Sequence, residues 1–170
     1  FPCQQQVYRH QGQWFEAEAA LPPMLRAQAE PWLAALGALF GAHGTFLFSD
    51  PDAKTAVGTF TGTPLVNGAG QSGNALATDG WTPGITIKAG NYFQLGTGAT
   101  SRLHKILQDV VATGGAASLD IFPRLRESPA DNAALTIAQP KGVFRLAAPF
   151  EWNADELSRY GVSFSAIEAI

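Results

Sequence analysis

Asn67-Gly-Ala-Gly-Gln-Ser-Gly-Asn74, Lys88-Ala-Gly-Asn-Tyr-Phe-Gln-Leu-Gly96 and Leu119-Asp-Ile-Phe-Pro-Arg-Leu-Arg-Glu-Ser128 all fall in one glycine-rich block, residues 67–129. Gly and Asn supply the backbone conformations of tight turns. Between those turns, Ile85-Thr-Ile-Lys88, Tyr92-Phe-Gln-Leu95 and the run from Ala117 to Arg126 read as short strands. In the last run Leu119, Ile121 and Leu125 alternate with Asp120, Phe122, Arg124 and Arg126, the pattern of a half-buried strand. No cluster of catalytic residue types lies in the block, which suits a scaffold better than an enzyme.

One stretch of the block reads both ways. In Ser101-Arg-Leu-His-Lys-Ile-Leu-Gln-Asp-Val-Val111, the residues Leu103, Ile106, Leu107, Val110 and Val111 recur at helical spacing, with Ser101 as a cap and Gly114 as a stop. The flanking Gly-rich turns and short neighbouring strands favour a strand, and a strand is expected here.

Outward from the block, residues 4–10 and 13–21 read as two strands joined across Gln11-Gly12 in a hairpin. Phe15, Ala17, Ala19 and Leu21 share one face, so Phe15 and Leu21 point to a core. Pro22-Pro23 ends the second strand. A helix is expected near 26–40, where Trp32, Leu33, Leu36, Leu39 and Phe40 recur at helical spacing. Pro31 conflicts with it unless the helix begins near Glu30 or kinks after Arg26. Gly41-Ala-His-Gly44 reads as the stop, and Thr45-Phe-Leu-Phe48 as a buried strand. Val57 to Val66 reads as one strand broken by Gly62 and Pro64. Near the C-terminus, Gly142–Ala147 and Tyr160–Glu168 read as strands around a turn at Asn153–Glu156. In the final strand Val162, Phe164 and Ala166 share a face whose apolar series Glu168 breaks; Ser163, Ser165 and Ile167 share the other.

The chain has 170 residues, enough for one ordinary domain or two small ones. Apolar residues make up 46% and charged residues only 15%, against a usual quarter or so for soluble domains. Such a surface suits a protein that hides part of itself against neighbours. A net charge of −3 and a pI near 5.5 argue against a broad phosphate-gripping surface. Cys3 is the single cysteine, which excludes an intrachain disulfide and a thiolate metal site. No apolar run approaches the roughly 20 residues of a membrane span, and residues 1–20 lack the pattern of a secretory signal.

Individual candidates read as structural. Asp50-Pro-Asp52 could share a cation but lacks further oxygen ligands nearby, and a turn cap fits it better. His10, His43 and His104 lie far apart, with no carboxylate or second His at ligand spacing. Ser72 has Gly at 70 and 73 and so fails the nucleophile-elbow spacing. The Asn67-Gly-Ala-Gly run lacks the Lys of a phosphate-binding loop. Trp81, Tyr92 and Phe93 could form a sugar-stacking platform, although core packing is the better reading. Arg124, Arg126 and Glu127 suit either intersubunit ion pairs or solvated strand ends. No residue is assigned a catalytic, cofactor-binding or metal-ligating role.

Leu21-Pro-Pro-Met24, Gly44-Thr-Phe-Leu-Phe-Ser-Asp-Pro51, Asn67–Asn74, Phe122-Pro-Arg-Leu-Arg-Glu-Ser128 and Ser163-Phe-Ser-Ala-Ile-Glu-Ala169 together give a chain that resembles the tail-tip proteins of tailed bacteriophages and prophages, close to distal tail proteins. The resemblance implies a mainly β fold with one packed α-helix, a split β-barrel of the tail-tube type. Residues 1–62 and 140–170 would form the barrel, with the helix near 26–40, and 63–139 a small β-barrel-like insertion. It also implies a further segment before Phe1. The expected role is structural, without catalysis or cofactor. The chain would join copies of itself in a ring, hexameric or trimeric, between tail tube and baseplate hub proteins of a virion assembled in the bacterial cytoplasm. DNA would pass as transient cargo, and no membrane is involved. The alternatives are a carbohydrate- or receptor-binding module of the particle, and an enzyme whose site is assembled from distant residues.

Overall fold

A computed structural model of the protein describes residues 12–170. The strand expected at 4–10, the hairpin it would form, Cys3 and His10 lie outside them. The described chain is mostly β with one α-helix, and its larger sheet curls into a half-barrel.

That sheet takes its strands from both ends of the chain. At its centre runs the longest strand, β13 (Arg159–Glu168). On one side β13 pairs with β1 (Glu16–Ala20) and β2 (Met24–Leu25), which form a single bent arm interrupted at Pro22-Pro23. On its other side lie β11 (Gly142–Leu146) and β12 (Glu151–Ala154). Here the sequence reading needs correction: Glu151–Ala154 is a strand, and the turn comes later, at 155–158. Asp155 makes that turn by accepting the backbone N–H groups of Leu157 and Arg159 on Oδ1. Next to β11 lies β3 (Phe46–Phe48), so β1 and β3 are the outermost strands of this sheet among the described residues.

Helix α1 spans Arg26–Gly37 and packs on β13. Ala29 and Leu36 are buried, and Leu33 and Leu39 pack on the same core. The expected apolar face is narrower than its spacing suggests, because Trp32 is half exposed and Phe40 is 83% exposed. Pro31 sits inside the helix rather than at its start. It removes the donor that would reach the Ala27 carbonyl, in a short helix held mainly by its buried side. The helix stops at Gly37, earlier than expected, and the chain turns through Phe40 and Gly41, both at positive φ. Gly44 N–H then closes on the Leu39 carbonyl at 2.7 Å. A Cβ on Gly44 would lie 2.7 Å from Leu39 Cα, which accounts for a glycine there.

The second sheet is built wholly from the middle of the chain. Its order is β4 (Gly62–Val66), β5 (Gly73–Trp81), β10 (Ala117–Leu125), β8 (Arg102–Ile106) and β7 (Tyr92–Leu95). A two-stranded ribbon, β6 (Thr86–Ile87) with β9 (Val110–Val111), lies beside it. The ambiguous stretch 101–111 is therefore two strands, and Ser101 caps no helix. Val57–Thr61 is irregular, so the strand expected from Val57 begins only at Gly62. Trp81, Phe93, Leu76, Ile87, Ile106, Leu119 and Ile121 fill the core of this sheet, with Phe60 edge-on to Trp81. A separate core under the half-barrel holds Phe144, Leu146, Val162, Phe164 and Ala166, extended by Phe46 and Phe48 in edge-to-face contacts.

Where β4 meets β5 the register shifts, and Gly62 and Gly80 bring the two backbones close. Gly80 is at φ +74°, and a Cβ there would fall 2.3 Å from the Thr63 carbonyl oxygen. Gly68, at φ +91°, faces open space. Gly68→Ala should therefore cost about 1 kcal/mol, the conformational penalty alone. Gly80→Ala should cost on the order of 3 kcal/mol, because backbone must also move. Urea unfolding midpoints compare the two, and equal losses would contradict the close approach.

Candidate functional site

Two places concentrate unusual chemistry: the junction between the sheets, and the open side of the half-barrel.

The junction begins at Glu168. Residues of β13 alternate, and Val162, Phe164, Ala166 and Glu168 all point to the buried side. A carboxylate in that series needs a cation, and Arg126, just past the end of β10, provides one. Its Nη1 donates to Glu168 Oε1 at 2.9 Å and its Nη2 to Oε2 at 3.0 Å. This two-pronged geometry is the strongest that Arg and carboxylate make. Glu168 is 2% exposed at its side chain and Arg126 21%, so the pair is largely dry. Phe15 N–H also donates to Glu168 Oε2, and Arg126 Nη2 also donates to the Gln13 carbonyl. Arg126 and Glu168 therefore pair within one chain instead of between subunits.

Gln13 extends the seam. Its Oε1 accepts the Arg124 backbone N–H at 2.8 Å and Asn74 Nδ2 at 2.9 Å. Phe15 packs edge-on against Phe122 and tilted against Tyr92. Three residues leading into β1 thus fasten the half-barrel to the second sheet. Sequence reasoning placed Phe15 in a core but missed Gln13 and Asn74, which carry no local pattern. Glu168 did carry one, as an acid on an apolar strand face.

Beside this pair is a cavity of about 220 Å³, lined by Arg102, His104, Arg124, Arg126, Ser128 and Glu168 among others. His104 is buried and stacked on Phe93, and its Nδ1 lies 2.9 Å from the Pro123 carbonyl. That carbonyl can only accept, so Nδ1 carries the proton. Burial pushes the imidazole pKa below its usual 6.5, against the upward pull of the Pro123 carbonyl.

On the open side, β1 and β3 face each other across a largely apolar groove of about 580 Å³. Trp32, Leu36, Phe46, Leu47 and Phe164 line it. The other face of the sheet is different. Glu18 stands opposite Ser165, and Ala20 and Glu151 stand opposite Ser163. This face is small and acidic, with Arg145 opposite Ile167 further along.

The remaining sequence candidates take structural places. Asp50 Oδ1 accepts the Asp52 N–H at 3.0 Å and caps a short 3-10 turn. Ser72 is exposed in a turn organised by its neighbour Gln71, whose amide bonds the carbonyls of Asn67, Gly68 and Ala77. Trp81 and Phe93 are 4% and 1% exposed, so neither offers a free ring face to a sugar. Tyr92 is half-buried under Lys105. Among the described residues, His43 and His104 join no group of three metal-ligating side chains, and no helix is long and apolar enough to cross a membrane. Comparison with known protein families and with curated proteins finds no match.

Two outcomes follow from the junction. Removing one member of the buried pair, by Arg126→Ala or Glu168→Gln, should cost about 3–5 kcal/mol, while Arg126→Met combined with Glu168→Leu should cost far less. Denaturant unfolding of the three variants tests this. His104 resists protonation when folded, whereas the unfolded chain protonates near pH 6.5. Its stabilising contribution is therefore present above that pH and is lost as pH falls toward the lowered folded value. The slope is at most about 1.4 kcal/mol per pH unit. His104→Asn, which keeps a donor for Pro123, should flatten the loss of stability between about pH 6.5 and 5. An unchanged pH profile would remove His104 from the acid response.

Proposed function

We propose that this chain is a structural ring subunit of a tailed-phage tail tip, of the distal tail type, and that its half-barrel is a split barrel of the tail-tube kind. The observation that carries the reading is the open side of the larger sheet. Two outermost strands, β1 and β3, flank a groove rich in apolar side chains, with Leu47 and Trp32 half exposed. A strand edge next to exposed apolar surface is a template for another chain. Identical subunits that meet through two different surfaces close into rings when the rotation allows.

The sheet's acidic face supports the same reading. Glu16, Glu18 and Glu151 among small side chains would line a channel that repels phosphate, so DNA could slide through as cargo instead of being held. Tail tube and baseplate hub proteins would stack above and below the ring. The partners are thus proteins, and the role is architectural, with no chemistry to perform.

Mass measurement in solution tests the reading directly. The chain should form a concentration-dependent hexamer or trimer. Leu47→Lys, on the exposed side of β3, should shift it to monomer without loss of fold. A wild-type chain that stays monomeric at high concentration, alone and with tail proteins, would sink the proposal.

A further inference from the structure

The cavity beside the Arg126–Glu168 pair holds more positive charge than its carboxylates absorb. Three guanidinium groups line it, those of Arg102, Arg124 and Arg126, against the two carboxylates of Glu127 and Glu168. Glu168 is already committed: both its oxygens accept from Arg126, and one also accepts from Phe15 N–H. Glu127 is exposed and forms no ion pair among the described residues.

Arg102 is the group that asks for a partner. It is half-buried, and among the described residues its guanidinium reaches only the Ser101 carbonyl, at a long 3.4 Å. A cation drawn partly out of water without a carboxylate carries a desolvation cost that an anion would offset. Arg102 and Arg126 both hold the His104 pKa down through their charge, so their positive ends reach the same side of the cavity. The chain is acidic as a whole, which makes this local excess of positive charge stand out.

We propose that this cavity is a binding site for a compact oxyanion of phosphate size, with Arg102 as its main charged contact and Arg124 and the Ser128 hydroxyl beside it. A volume of about 220 Å³ admits such an ion but not a nucleotide base with its sugar. Arg suits the task because its planar fork binds two oxygens of one anion at once. His104 does not oppose the ion: neutral at pH 7, it leaves the arginines as the charged contacts. The site is complete within one chain and so stands apart from the ring reading.

Equilibrium dialysis with labelled inorganic phosphate, at ionic strength fixed with sodium chloride, tests it on the whole chain. The expected result is saturable binding of one phosphate per chain. Arg102→Ala should weaken it about 10-fold or more, the loss of a charge-assisted contact. Arg102→Lys, which keeps the charge and loses the fork, should fall between the two. Arg26→Ala, on the exposed helix, should leave binding unchanged. Non-saturable uptake, or uptake equal in wild type, Arg102→Ala and Arg102→Lys, would overturn the proposal. If Arg102→Ala does not fold, Arg102→Lys alone decides, since only a bidentate site distinguishes it from wild type.

Discussion

The buried fork between Arg126 and Glu168 is the interaction on which the architecture turns. One partner closes the last strand of the half-barrel, and the other leaves the longest strand of the inserted sheet. Neither sheet could bury its half of the pair alone, because a lone charge in a dry junction is expensive. The fork therefore fixes the angle between two hydrophobic cores that share few side chains. Gln13 and Phe15 complete the seam with backbone-directed bonds and aromatic edges, which are directional where apolar packing is not.

Strand β8 shows how tightly the cores adjoin. Leu103 faces the half-barrel core, while Ile106 faces the other. A strand wetted on neither side loses the period-two signature, and this explains why residues 101–111 look helical by spacing. Turn chemistry around the stretch carried the information that periodicity did not. Gly142 belongs to the same contact: a Cβ there would lie 2.9 Å from the Leu103 side chain, so β11 can approach β8 only as glycine.

Much of the fold was legible in local pattern. The helix, Phe46–Phe48, Tyr92–Leu95, Ala117–Leu125 and the final strand all follow from spacing and turn residues. What escaped was non-local. Trp152 is exposed on β12 and stacks on Tyr160, so that arm carries no buried apolar series to announce a strand. Its pairing is set by β13, which the local sequence does not encode. The junction was half visible, since Glu168 violates its strand's pattern while nothing near Arg126 or Gln13 marks them as its partners. Glu168 is the lesson in small: a broken alternation pointed to the place, and only the tertiary structure supplied the reason.

The bend between β1 and β2 has its own consequence. Two consecutive prolines strip an amide donor from each side of the backbone in turn, one toward β13 and one toward solvent. Any ladder built along the outer flank of β1 must therefore stop after about five residues. An association that begins there has a fixed end point, which guards the molecule against the open-ended stacking that leads to fibrils.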